Sequence, residues 1–141
     1  MRALQVLFYF IAAESVSKRE TNFQGRGESK RHVVRFFGDV CDERARKRLD
    51  RAFSRLDKTY LTWEEAVEFL YGVRCDVAHE GAYDELTLDV EPGRQWYTPG
   101  GGEPLGVHIT LPELREIILG GAIRACNTML PSGHECKLPG S

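Results

Sequence analysis

The chain is short of several features that would place it in a well-marked class. Its four cysteines, Cys41, Cys75, Cys126 and Cys136, form no C-x-x-C pair. At that density a disulfide scaffold is not expected, and reduced thiols in a cytoplasmic protein are the reading. His134-Glu-Cys136 is at most half a metal site, because no second ligand pair has matching spacing. No apolar run is long enough to span a bilayer. The longest, Ala3 to Ala13, is interrupted by Gln5 and falls well short of roughly 20 residues. Preceded by Arg2 it has the outline of a signal peptide, but it is read here as a helix of the fold. Gly100-Gly-Gly102 lacks the Lys-Ser/Thr and the strand–helix setting of a phosphate loop. There is no internal repeat, and the net charge is only −2.

What is present is an ordinary globular composition. At 141 residues, 28% charged and 42% hydrophobic, the chain suits one domain with a substantial core. The small net charge hides a polarity. Residues 1–60 carry 14 Lys and Arg against 8 Asp and Glu, and residues 61–141 carry 5 against 13. Three readings stand: a basic face for a polyanion, two halves that neutralise each other by packing, or a solvated surface.

Periodicity predicts a mainly α protein, an antiparallel bundle of four to five helices with a β-hairpin inserted before the last. The opening helix is apolar nearly all round, with Leu4, Leu7, Phe8 and Ile11 on one side and Val6, Phe10 and Ala13 on the other. That pattern predicts burial in the bundle or across a dimer contact. Residues 16–29 read as a polar loop, and 30–38 as a short helix stopped by Gly38. A second amphipathic helix is predicted over 41–58, with Ala45, Leu49, Ala52, Phe53 and Leu56 as its stripe. Its exterior is basic, with ion pairs such as Asp50 with Arg46, and is a candidate phosphate contact. Thr62-Trp-Glu-Glu65 is a capping box that opens a helix to Gly81, with Trp63, Ala66, Val67, Leu70, Val73 and Val77 on one face. Period-two alternation over 86–90 and 106–110 predicts the hairpin, occupying about 86–110. Trp96 and Tyr97 between its strands anchor it to the bundle or stack on bases. Thr110-Leu-Pro-Glu113 is a second capping box for a helix to about Leu130. Gly120-Gly121 in that helix is locally weak but allows close packing. The tail 131–141 is expected to fray.

Chemistry concentrates at the end of the Thr62 helix, in Arg74-Cys-Asp-Val-Ala-His79-Glu80-Gly81. Asp76 lies three residues before His79, so the carboxylate is able to orient the imidazole and favour its charged form. Arg74 and His79 are about 140° apart around a regular helix, so one straight helix does not bring their tips together.

This stretch resembles the Arg-x(4–6)-His motif of the HEPN superfamily, small helical-bundle proteins. Many of them are metal-independent endoribonucleases of toxin–antitoxin, anti-phage and RNA-processing systems. The resemblance extends to the opening helix, where Leu7-Phe-Tyr-Phe-Ile-Ala-Ala-Glu14 is similar to the family's first helix with its acidic residue. One position departs: the polar residue usual after the Arg is Cys75 here, and Asp76 follows a step later. The resemblance implies a homodimer in which two motifs face each other across a cleft, with no cofactor and no metal. In that reading Arg74 and His79 are catalytic with Asp76 as orienter, and Glu14, Cys75 and Glu80 lie on the substrate side. The alternative is a non-catalytic module that binds a nucleotide, RNA or a partner such as an antitoxin. There Arg74 pairs with Asp76 or Glu14 and His79 caps the helix end. Glu14 itself is either a surface or capping carboxylate or a group facing Arg74.

Overall fold

Both capping boxes form, and they launch the two long helices of the second half. In the computed structural model the Glu65 N–H donates to Thr62 Oγ1 at 3.2 Å, and the Thr62 N–H reaches the Glu65 carboxylate at 3.3 Å. Thr110 Oγ1 likewise accepts from the Glu113 N–H at 3.3 Å. The structure describes residues 2–80, 95–97 and 102–130, and of residues 2–4, 74–80 and 95–97 only the backbone. Among these, the elements in chain order are α1 (Arg2–Glu20), α2 (Ser29–Arg35), a π-helical turn (Phe36–Val40), α3 (Glu43–Leu49), β1 (Phe53–Ser54), α4 (Trp63–Glu80), β2 (Gln95–Tyr97), β3 (Leu105–Val107) and α5 (Leu111–Met129). The protein is therefore mainly α, a helical bundle with a β-hairpin, β2 with β3, before the last helix. No helix among the described residues is long and apolar enough to cross a membrane.

α1 packs against α2, α4 and α5. It buries Val6, Phe10, Ala13 and Ser17, which recur at three- and four-residue steps. Its other apolar face is not buried in the monomer: Phe8 is 62% and Ile11 40% exposed. α1 also runs on to Glu20, so the expected loop from residue 16 is shortened to a turn over 21–28. Helical hydrogen bonds persist because Ser17 is a core residue whose hydroxyl has partners on α2. The contacts between α1 and α2 advance in step: Glu14 with Ser29, Ser17 with His32, Glu20 with Arg35.

Gly38 does not stop a helix. The chain passes through it in the π turn, where the Cys41 N–H donates to the Phe36 carbonyl at 2.9 Å. The wider winding carries Phe36, Phe37, Val40 and Cys41 all into the core. A Cβ on Gly38 would lie 2.9 Å from the Trp63 ring, so its role is close packing. The carbonyls left open at the end of this turn are taken by two arginines. Arg46 donates to Gly38 O at 2.7 Å and Cys41 O at 2.8 Å, and Arg124 donates to Val40 O at 3.0 Å. A cation at a helix C-terminus also meets the negative end of its dipole.

The helix expected over 41–58 ends at Leu49. Ala52, Phe53 and Ser54 are buried consecutively, which a helix with one buried face cannot do and a covered strand can. Phe53 and Ser54 form β1, pairing with Val107 and Gly106 of β3, so the sheet order is β1-β3-β2. Asp57 then closes a turn by accepting from the Thr59 N–H and hydroxyl, with Lys58 in the left-handed region at φ 66°. Leu56, assigned to the core stripe, sits on that turn and is 58% exposed. The expected Asp50–Arg46 pair is replaced: Asp50 accepts from the Trp63 N–H at 2.6 Å, and Arg46 turns inward. The hairpin partner of β3 is Gln95–Tyr97, a stretch that the period-two pattern puts between the two expected strands. The expected strand over 86–90 and the tail 131–141 lie outside the described residues.

α5 buries Leu114, Ile118, Gly121 and Ala125 along one stripe. A Cβ on Gly121 would lie 2.5 Å from Phe36 Cζ and 2.7 Å from Cys41 Sγ, whereas one on Gly120 would meet nothing within 4 Å. The neighbouring glycines should therefore respond with opposite signs to alanine. Gly121→Ala is expected to destabilise by about 1–3 kcal/mol through overpacking. Gly120→Ala is expected to stabilise by about 0.5–1 kcal/mol through helix propensity. Urea denaturation of the two variants beside the parent measures both.

Candidate functional site

α4 is one unbroken helix from its capping box to Glu80. Arg74, Cys75, Asp76, His79 and Glu80 all fall on its last two turns, and their side chains lie outside the described residues, as does Gly81. The backbone alone sets their spacing. Asp76 and His79 are about 60° apart on a regular helix, and Arg74 and His79 about 140°.

Glu14 comes from α1, which packs on α4. Ser29 donates its hydroxyl to Glu14 Oε1 at 2.6 Å, and the Lys18 ammonium lies 2.8 Å from the same oxygen. Its side chain is only 12% exposed, so this is a held carboxylate at the α1–α2 junction rather than a solvated one. Lys30, next to Ser29, pairs with Glu68 of α4 at 3.6 Å. The start of α2 thus ties α1 and α4 together.

Three further features were not anticipated. Ser54 Oγ lies 2.7 Å from His108 Nε2 across the β1–β3 pair, with the Tyr60 ring edge-on to the imidazole. A hydroxyl against an imidazole is two members of a nucleophilic triad. Among the described residues no carboxylate is bonded to His108 Nδ1, so these residues do not complete a triad. The pair depends on Gly106, where a Cβ would sit 2.5 Å from Ser54 Oγ. No sequence signal announces it, because the apolar period over 41–58 reads Ser54 as helical. The second feature is an open groove of about 1100 Å³ between α3 and α5, whose walls include Arg44, Lys47, Arg48, Arg51 and Arg124. Its basic wall was legible as the exterior of the predicted 41–58 helix, but its opposite wall was not.

The third is a redox feature. Cys126 is disulfide-bonded, which corrects the expectation of four reduced thiols. Spacing along the chain carries no information about which thiols the fold brings together. Cys41 is free, and burial pushes its thiol up to about 12, with Asp42 adding to the effect.

In the groove wall, Arg48 binds Glu113 through Nε and donates to the His108 carbonyl at 2.7 Å. Burial raises the Glu113 carboxyl, but the Arg48 hydrogen bond and charge, with Thr110, outweigh it and hold the group below the usual carboxylate value. Among the described residues no cluster of three His, Cys, Asp or Glu is placed to hold a metal; His134 and Cys136 lie outside them. Neither a protein-family model, a curated protein nor a solved structure matches the chain.

His32 is buried between α1 and α2, edge-on to Phe23. Ser17 Oγ accepts from Arg35 at 3.1 Å and lies 3.3 Å from His32 Nδ1, while Nε2 has no hydrogen-bond partner among the described residues. Burial first, then Lys18 and Arg31, lowers its pKa from 6.5, against the smaller pull of Glu28 and Glu14. Between 6.5 and that lower folded value the unfolded chain binds a proton that the folded chain does not. Stability is therefore expected to fall as pH drops through this window and to level off below it. Urea unfolding across a pH series checks this, and His32→Phe should flatten that part of the profile.

Proposed function

We propose that the protein is a metal-independent endoribonuclease of the HEPN type, acting on single-stranded RNA at a site composed across a homodimer. The observation that carries this reading is the continuity of α4 from its cap to Glu80. It keeps Arg74, Asp76 and His79 in helical register on the last two turns, as the motif requires.

In this mechanism His79 of one copy takes the proton from a ribose 2′-hydroxyl as that oxygen attacks the adjacent phosphorus. The P–O5′ bond breaks, and the departing oxygen receives a proton from His79 of the second copy. The products are a 2′,3′-cyclic phosphate and a free 5′-hydroxyl. Arg74 binds the non-bridging oxygens and stabilises the charge that builds there. Asp76, one turn before His79, keeps the imidazole oriented. Pairing Arg74 with His79 across the two-fold axis removes the obstacle of their separation around one helix. Phe8 and Ile11, apolar and exposed on α1, are the surface on which this reading seats the second copy.

The second reading is a non-catalytic module that binds RNA, a nucleotide or a partner protein. Cys75 in the motif's polar position and the basic groove between α3 and α5 favour it.

Labelled single-stranded RNA incubated in EDTA separates the two. Cleavage to cyclic-phosphate ends is expected, falling by about 100-fold or more in His79→Ala and in Arg74→Ala. A folded wild-type dimer that leaves the RNA intact, or variants that cut as well as the parent, would sink the ribonuclease reading. Phe8→Glu is expected to give a monomer in sedimentation analysis and to lose cleavage with it. A Phe8→Glu protein that stays dimeric removes α1 from the interface.

A further inference from the structure

Arg44, Lys47, Arg48 and Arg51 recur at steps of three and four, so they form one stripe along α3 and the turn that follows it. The stripe is one wall of the groove. Ile117, Gly120 and Arg124 of α5 stand opposite, with Tyr60 at the lip. The acids nearby are mostly committed. Asp42 caps α3 by accepting from the Ala45 N–H at 2.9 Å, Asp50 accepts from the Trp63 N–H, and Glu113 is bound by Arg48. Glu116 is exposed and remains as an opposing charge. Among the cations, the guanidinium groups of Arg44 and Arg51 are exposed and have no partner among the described residues. Lys47 has only a surface pair with Glu43 at 3.4 Å. The groove therefore offers uncommitted positive charge over about 10 Å of helix, more than one phosphate occupies.

Its lip offers an aromatic surface. Tyr60 is 49% exposed. Its ring is backed at 5.8 Å by His108, which Ser54 holds in turn. A cationic track beside a braced, accessible aromatic ring is how sequence-tolerant single-strand binding is built. At Gly120, where a Cβ would meet nothing within 4 Å, a ligand is able to approach the α5 backbone.

We propose that this groove binds a segment of single-stranded RNA, with phosphates along Arg44, Lys47 and Arg51 and a base stacked on Tyr60. RNA as the ligand class rests on the reading above, but the groove is a separate place. Asp50 binds the first residue of α4, and Arg74 lies about 16 Å farther along that helix. The groove is thus a binding track for the strand, remote from the bond that is cut.

The test uses the full chain in a His79→Ala background, so that RNA survives, with a fluorescent oligouridine of about a dozen nucleotides. Anisotropy is read between about 50 and 200 mM salt. Arg44→Ala combined with Arg51→Ala is expected to weaken binding and to reduce the slope of log Kd against log salt by about 1.4, for two lost phosphate contacts. Tyr60→Ala should weaken binding roughly ten-fold or more through lost stacking while leaving the slope unchanged. Arg19→Ala with Arg26→Ala, two exposed cations outside the groove, should change neither.

No RNA binding by the parent, or equal losses in the groove and control pairs, overturns the proposal. Uridine monophosphate competing as well as the oligomer overturns the strand and leaves a mononucleotide site. RNA that binds in the groove but is never cut by the chain with His79 intact removes the ribonuclease reading alone. RNA cut normally by the groove variants, with unaltered binding, removes the groove alone.

Discussion

Two arginines hold the end of the π turn, and most of the architecture hangs on that arrangement. Arg46 from α3 takes the Gly38 and Cys41 carbonyls, and Arg124 from α5 takes the Val40 carbonyl. These are polar groups at the end of a core segment, where an unpaired carbonyl costs about 1–3 kcal/mol. Satisfying them from two different helices fixes α3 and α5 relative to the same short stretch of chain. Gly121 completes the junction by letting α5 come down onto Phe36 and Cys41. The groove between α3 and α5 is what remains above this point, so its width follows from the clamp beneath it.

The same constraint divides the basic residues of the first half into two kinds. Arg46 and Arg48 are used internally, on carbonyls and on Glu113. Arg44 and Arg51 are left facing the groove. A charge count treats all four alike, and only their partners distinguish a structural guanidinium from one available to a ligand. The polarity of the chain is thus partly a surface property and partly neutralised by packing, as Arg48 with Glu113 and Arg55 with Glu65 both show.

α4 links the two proposed sites. Its first turn is tied to Asp50 and Arg55, beside the groove. Its last two turns carry the Arg74–His79 stretch. α1 lies along it, buries one face, and leaves Phe8 and Ile11 outward. In the proposed dimer that outward face and the end of α4 belong to one interface, while the groove stays open on each copy.

The sequence by itself determined the long helices, because their signals are local. Thr62 with Glu65 and Thr110 with Glu113 are caps three residues apart, and the apolar steps that follow each cap have a helical period. It also placed Arg74, Asp76 and His79 together near a helix end, since spacing on one helix is a local matter. Tertiary structure decided everything that depends on partners distant in the chain. Phe53 and Ser54 became a strand because Val107 and Gly106 were there to pair with them, overriding a helical stripe. Gly38 became a packing site for Trp63 rather than a helix stop. Ser54 met His108, and Cys126 entered a disulfide that spacing did not suggest. Which basic side chains line the groove was settled only when α5 supplied its second wall, because burial and pairing are properties of surfaces in contact.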